Sequence, residues 1–200
     1  LLLEDRVELP RLYLAWLTPA MFASGDADLD LVADVLAHGK MSRLYKRLVF
    51  DSRIATDVSA SQNSRELGSF LQMAATAAPG HGWGELEEAI LDELDGLGRD
   101  GPSDEELERG RVQAETQFVF RLQTVGGCGG KSDQLNAYNV FRGDPGFFIA
   151  DLDRYRAATP ESVRAVARQY LAFDRRVMLS IVPRGQDALA LPGSEPVAVS

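Results

Sequence analysis

The sequence predicts an α+β fold: a four-stranded, mostly antiparallel sheet with helices packed on one face. Three observations predict it. Four short apolar segments have strand character, at residues 10–18, 54–61, 69–78 and 175–183. Longer segments between them repeat their apolar residues near the helical period of 3.6. The order is β-α-β-β-α-α-(α-α-α)-β, so only the two middle strands can form a simple hairpin, and the helices must lie across the sheet. With 45% hydrophobic residues in 200, the chain can bury a core.

The elements follow in order. Residues 1–8, LLLEDRVE, have three leucines and then alternating charge, and lack the basic start, long apolar run and small-residue cleavage site of a signal peptide. They read as an entry linker to a single domain at 9–183, with an exit tail at 184–200. PRLYLAWLT is an apolar run expected as a strand buried on both faces. SGDAD then opens a helix, with Asp26 or Asp28 as the expected cap. That helix extends over residues 27–49 through Leu29, Val32, Leu36, Leu44 and Leu48. Gly39 is expected to break or kink it.

IATDVSAS alternates, with Ile54, Thr56, Val58 and Ala60 on one side and Asp57, Ser59 and Ser61 on the other. SFLQMAATAA completes the hairpin. Trp83, Leu86, Ile90, Leu94 and Leu97 make the next helix amphipathic. Ser103 and Glu106 form a capping box for the one after it, whose apolar stripe runs through Leu107, Ala114, Phe118, Leu122 and Val125. Helices are expected near 132–141 and 146–157. Thr159-Pro160 starts a last helix, with proline where its missing N–H does no harm. RRVMLSIVP is the final strand.

Composition bounds function. Thirty acidic against 21 basic residues give a net charge of −9. That argues against general nucleic-acid binding, which needs clustered positive charge. The local basic group Lys40, Arg43, Lys46 and Arg47 reads as a solvated helix face. No apolar run reaches the roughly 20 residues of a membrane span. A single cysteine, Cys128, makes neither an internal disulfide nor a cysteine-based zinc site.

The stretch VGGCGGKSDQLN nearly spells a phosphate-binding loop. Gly130, Lys131 and Ser132 match the end of G-x-x-x-x-G-K-[ST], but Val125 stands where the first glycine belongs. A capped helix precedes it rather than a strand. A dinucleotide motif fails because Ser132 replaces its third glycine. The stretch therefore reads as a junction of two helices, ended by Gly126 and restarted by a Ser132 cap. Four glycines exceed what a cap requires. Gly126, Gly127, Gly129, Gly130 and Lys131 are accordingly the candidate substrate- or domain-contact residues. His38 is expected to pair with Asp34, and His81 to sit near Glu85 at the surface. Neither H-E-x-x-H nor H-x-x-E-H occurs, so no catalytic or metal-ligating residue is assigned.

HGKMSRLYKRLVFDSRIATDVSASQ resembles the start of the C-terminal domain of M16 (pitrilysin, or insulinase-like) metallopeptidases. GGCGGKSDQLNAYNVFRGDPGFF and DLDRYRAATPESV resemble its later part in bacterial members. The resemblance spans about residues 9–183. It implies two similar α+β domains per half and two halves closing around an unfolded peptide. It implies zinc on H-x-x-E-H and a distal glutamate in a separate catalytic domain. By that resemblance this chain is the noncatalytic domain, carrying no cofactor itself. Its partners are then a catalytic M16 domain, of the same or another chain, and an unfolded peptide. The parent would be a zinc metalloendopeptidase. The alternative is a decayed homologue whose domains serve as an assembly scaffold. Active relatives carry a substrate-binding arginine and, seven residues on, a tyrosine. Those positions hold Val49 and Thr56 here, so no such pair is assigned. Bacterial relatives are often exported, which favours the periplasm by analogy.

Overall fold

The computed structural model describes residues 1–125 and 129–197. Its centre is a mixed sheet of five strands: β1 (Leu2–Asp5), β2 (Arg11–Thr18), β3 (Ala55–Asn63), β4 (Ser69–Ala77) and β5 (Arg176–Pro183). The spatial order is β1-β5-β2-β4-β3. All pairings are antiparallel except β1 with β5. The helices are α1 (Asp26–Ala37), α2 (Trp83–Asp100), α3 (Asp104–Gln123), α4 (Lys131–Arg142), α5 (Phe148–Arg156) and α6 (Pro160–Tyr170). Among them α1 lies against β3, α2 against β4 and α6 against β2.

The expected α+β class and the one-sided helical layer are present, with one strand more than expected. Leu2–Asp5 falls in the stretch read as an entry linker, yet it pairs with β5 in parallel, Leu2 opposite Ser180 and Glu4 opposite Val182. Two leucines followed by two acids leave no periodic mark, and their partner lies at the far end of the chain. The stretch read as an exit tail also returns. Leu191 is buried in the core, and Val197 N–H donates to Leu2 O at 2.8 Å.

β2 is buried on one face rather than both. Leu12, Leu14 and Trp16 are sealed against the helices, while Leu17 is 84% exposed. Trp16 explains the bulky residue at the centre: its indole N–H donates to Ala172 O at 3.0 Å, tying the sheet to the end of α6. Its cross-strand neighbour is Leu71. In β3 the expected alternation slips at a bulge between Ala55 and Asp57. Ile54 and Ala55 are both buried, and Thr56 turns outward.

The expected long helix is broken where Gly39 stands, at φ 76°. After α1, a π-helical turn covers Tyr45–Asp51 and drops Leu44 and Leu48 into the core. Neither Asp26 nor Asp28 caps α1. The cap position is Gly25, and Asp26 instead accepts from Phe22 N–H at 2.8 Å. Phe22 holds φ 63°, a conformation a non-glycine residue rarely adopts. The Ser103–Glu106 box is present, and a second one joins Thr159 to Ser162. Leu122 and Val125, assigned to the apolar stripe of α3, are exposed; Gly110 takes a buried place instead.

The basic group after α1 is not simply solvated. Arg43 pairs with Glu106, and Arg47 reaches Asp92 and Glu93. Only Lys40 and Lys46 remain exposed. Spacing along one helix could not reveal the acids on α2 and α3 that face it.

Candidate functional site

β3 is an edge strand: its one ladder partner among the described residues is β4. Beside that free edge runs α3. The gap between Ser61 and Gln62 on β3 and Gln117, Phe118 and Arg121 on α3 is a groove of about 290 Å³. Its floor is Asp30 and Asp34 of α1 with Tyr155 of α5. The groove runs on into a cavity of about 490 Å³ beneath α4, which shares Asp30, Gln62, Arg121 and Tyr155.

The floor is acidic for a geometric reason. Asp26, Asp30 and Asp34 stand one turn apart on α1, so they share a face. Arg154 of α5 answers the first, with Nη2 donating to Asp26 at 2.9 Å and Nη1 to Asp151 at 2.7 Å. Tyr155 donates its hydroxyl to Asp30 at 2.6 Å, and Tyr138 donates to Asp151 at 2.8 Å. Ser64, in the β3–β4 turn, donates to Asp26 at 2.6 Å. Burial pushes the Asp30 carboxyl up to about 7; the Tyr155 bond opposes this, and Asp26 and Asp34 reinforce it. Burial likewise pushes Asp34 up to about 6, with His38 pulling the other way. Burial and the Asp151 carboxylate raise Tyr138, so it stays a neutral donor.

The second feature is the uncovered face of the sheet. Leu3, Tyr13, Leu17, Phe70, Val177, Leu179 and Ile181 point away from the helices by their register. Leu17 and Val177 are exposed, and the others are half-buried. Arg11 crosses this face to Asp57 at 3.3 Å and lies over the Tyr13 ring. An apolar sheet face without a covering layer suits contact with another polypeptide.

Gly126 and Gly127, with Cys128, are outside the described residues. Gly129 lines the cavity under α4 at φ 80°, and its N–H donates to Asp133 at 2.9 Å. Gly130 occupies the cap position of α4, in place of the expected Ser132, whose hydroxyl donates to Val125 O at 2.9 Å. Lys131 is exposed. The helix preceding the stretch is α3, so the strand a phosphate loop requires is not there.

His38 stands 3.7 Å from Asp34, and His81 lies 2.9 Å from Glu85. Among the described residues no three His, Cys, Asp or Glu side chains converge on a point where a metal could sit. The residues present therefore do not fit zinc. Val49 packs against the core and Thr56 faces out at the bulge, so these two positions offer no Arg–Tyr pair. Among the described residues no helix is long and apolar enough to cross a membrane.

The family model described as the peptidase M16 inactive domain matches residues 2–113, over half of the chain. The chain belongs to this family. The M16 inactive domain is also what solved structures place beside it. A domain from Bordetella parapertussis, described as the inactive peptidase domain of a protein assigned as a zinc protease, is 26% identical. It superposes with a TM-score of 0.76 over 90% of this chain and 94% of that one. A protein from Bordetella pertussis Tohama I, also assigned as a zinc protease, is 26% identical, with TM-score 0.74 over 88% and 95%. A protease from Helicobacter pylori shares the fold at 19% identity and TM-score 0.79, covering 91% of this chain. This chain spans only 43% of that protein. No curated protein matches the sequence.

The acidic floor escaped sequence reasoning. A mark was there, since Asp26, Asp30 and Asp34 repeat every four residues inside an otherwise apolar helix. Such a repeat reads as a solvated stripe until α5 is known to cover it.

Proposed function

We propose that this M16 inactive domain supports a catalytic M16 domain and walls a chamber that holds an unfolded peptide. The observation that carries this reading is the uncovered apolar sheet face, bounded on one side by the free edge of β3. An extended peptide can lie over such a face and pair its backbone with an edge strand. The acidic groove next to β3 favours segments carrying lysine or arginine. In the same reading, Gly126, Gly127, Gly129, Gly130 and Lys131 form a contact loop for substrate or the neighbouring domain. The position of Gly129 on the cavity wall supports that role. Zinc and the groups that cut the peptide belong to the catalytic domain.

Binding of a fluorescein-labelled, unstructured basic peptide, followed by anisotropy, tests the proposal. The wild-type chain should bind it, and Leu17→Ser combined with Val177→Ser should weaken binding without lowering the melting temperature. Equal binding by both proteins would remove the chamber-wall role. The adjoining reading frame bears on the alternative: H-x-x-E-H in the neighbouring domain would favour the peptidase reading over an assembly scaffold.

A further inference from the structure

We propose that the α4–α5 hairpin is a strap over the cavity beneath α4, and that the protonation state of Asp30 sets how tightly it seats on α1. The geometry has two parts. First, few side chains of the hairpin's two helices are buried. Of α4 only Tyr138 is buried, packed against Phe22 at 5.9 Å and Phe147 at 5.7 Å. Of α5, Asp151 and Leu152 are buried. Tyr155 touches Phe118 edge-on at 5.5 Å. Phe148 also meets Phe118 edge-on at 5.5 Å, and Arg156 pairs with Glu115 of α3. Toward α1 the seat is polar, made of Arg154, Asp26, Asp151 and the Tyr155–Asp30 bond.

Second, that polar seat is short of positive charge. Asp30 faces Asp26 and Asp34 along α1, with His38 beyond Asp34. From α5 it meets Tyr155 and Arg154, the latter already shared between Asp26 and Asp151. From α4 come Asp133 and the neutral Tyr138; from α3 comes Arg121, and from the β3–β4 turn Arg65, both exposed at the mouth. With Asp30 neutral, Arg154 balances one of two remaining buried carboxylates and the phenol still bonds. With Asp30 ionised, an uncompensated charge sits under the hairpin, and water must enter to solvate it. Relief comes by lifting α5, the element that supplies both Tyr155 and Arg154. Its raised carboxyl places the change near neutral pH.

Hydrogen exchange read by mass spectrometry tests this, with rates corrected for the intrinsic pH dependence. In the wild-type chain, protection across residues 131–156 should fall about tenfold or more between pH 6 and pH 8, a factor that corresponds to ~1.4 kcal/mol. Protection of β2 and β4 should stay level. Asp30→Asn should abolish the change. Tyr155→Phe should move its midpoint upward, because the lost hydroxyl favoured the ionised form. A pH-independent wild type, an Asp30→Asn profile like wild type, or an unmoved midpoint in Tyr155→Phe would overturn the strap. The Tyr155→Phe arm stands even where Asp30→Asn fails to fold.

Discussion

Arg43 donates two hydrogen bonds to Glu106, from Nε to Oε1 and from Nη2 to Oε2, each at 2.7 Å. The same carboxylate accepts from Ser103 N–H at 2.8 Å and so completes the cap of α3. Arg43 also donates to Gly101 O at 3.0 Å. One guanidinium thus joins the turn after α1 to the α2–α3 junction. Removing it leaves a partly buried carboxylate with only the Ser103 N–H as partner, and takes a donor from Gly101 O. Arg43→Ala should cost about 2 kcal/mol of unfolding free energy. Arg43→Lys, which keeps the charge and loses the fork, should recover less than half of that. A double-mutant cycle with Glu106→Gln in urea should give a coupling energy of about 1 kcal/mol or more. Burial tends to raise Glu106, but the bonds from Arg43 and Ser103 outweigh it and hold the group below the ordinary glutamate range. Its contribution is therefore present above about pH 4.5 and lost as pH falls further. Glu106→Gln should flatten that part of the acid limb.

Asp30 and Asp34 have the opposite sign. Their folded forms hold protons at pH values where the unfolded chain has released them. Stability should therefore fall as pH rises from about 4, the unfolded value, to about 7, and level off above that. Asp30→Asn should be more stable than wild type at pH 8 and close to it at pH 5. Thermal melts across that range would show it. A wild-type melting temperature that climbs steadily from pH 5 to pH 8 would contradict the assignment.

How much of this was legible in the sequence depends on whether the partner was local. The hairpin, the Ser103–Glu106 capping box, the helix start at Thr159-Pro160 and the break at Gly39 are set by neighbours within a few residues, and all were readable. β1 was not, because its partner β5 is remote and its four residues carry no pattern. Arg43 and Arg47 looked like solvent-facing charge for the same reason: Glu106, Asp92 and Glu93 are brought to them by the fold. The acidic floor needed α5 laid on α1. The helix before the glycine stretch was legible from its cap, and α3 is that helix. What Gly126 and Gly127 touch is a matter for the contact-loop proposal.

The two faces of the sheet offer a direct comparison. Leu71, opposite Trp16, is fully buried on the helix side. Leu71→Ala removes buried methyl groups and leaves a void, costing about 2–5 kcal/mol. Leu17 lies on the other face, where its neighbour across β4 is Phe70. Leu17→Ser should change stability by about 0.5 kcal/mol or less. Denaturant midpoints measured side by side decide whether this face is uncovered in the isolated chain. A loss of 2 kcal/mol or so at Leu17 would mean that something packs on it.

Glycines at two helical sites should respond to alanine in opposite directions. A Cβ on Gly110 of α3 would meet Leu31 Cδ2 at 3.0 Å. Leu31 is fully buried in α1, so its methyl would have to shift within the packed core, and Gly110 is where the two helices approach closely. Gly110→Ala gains helix propensity of about 1 kcal/mol but overpacks the α1–α3 contact by about 1–3 kcal/mol. The net expectation is a loss. Gly96 of α2 has nothing within 4 Å of the position a Cβ would take. Gly96→Ala should therefore stabilise the chain by about 0.5–1 kcal/mol through propensity alone. Urea unfolding of the two variants checks both signs at once. Stabilisation by Gly110→Ala would show that α1 and α3 are free to separate, and that the close contact does not hold them together.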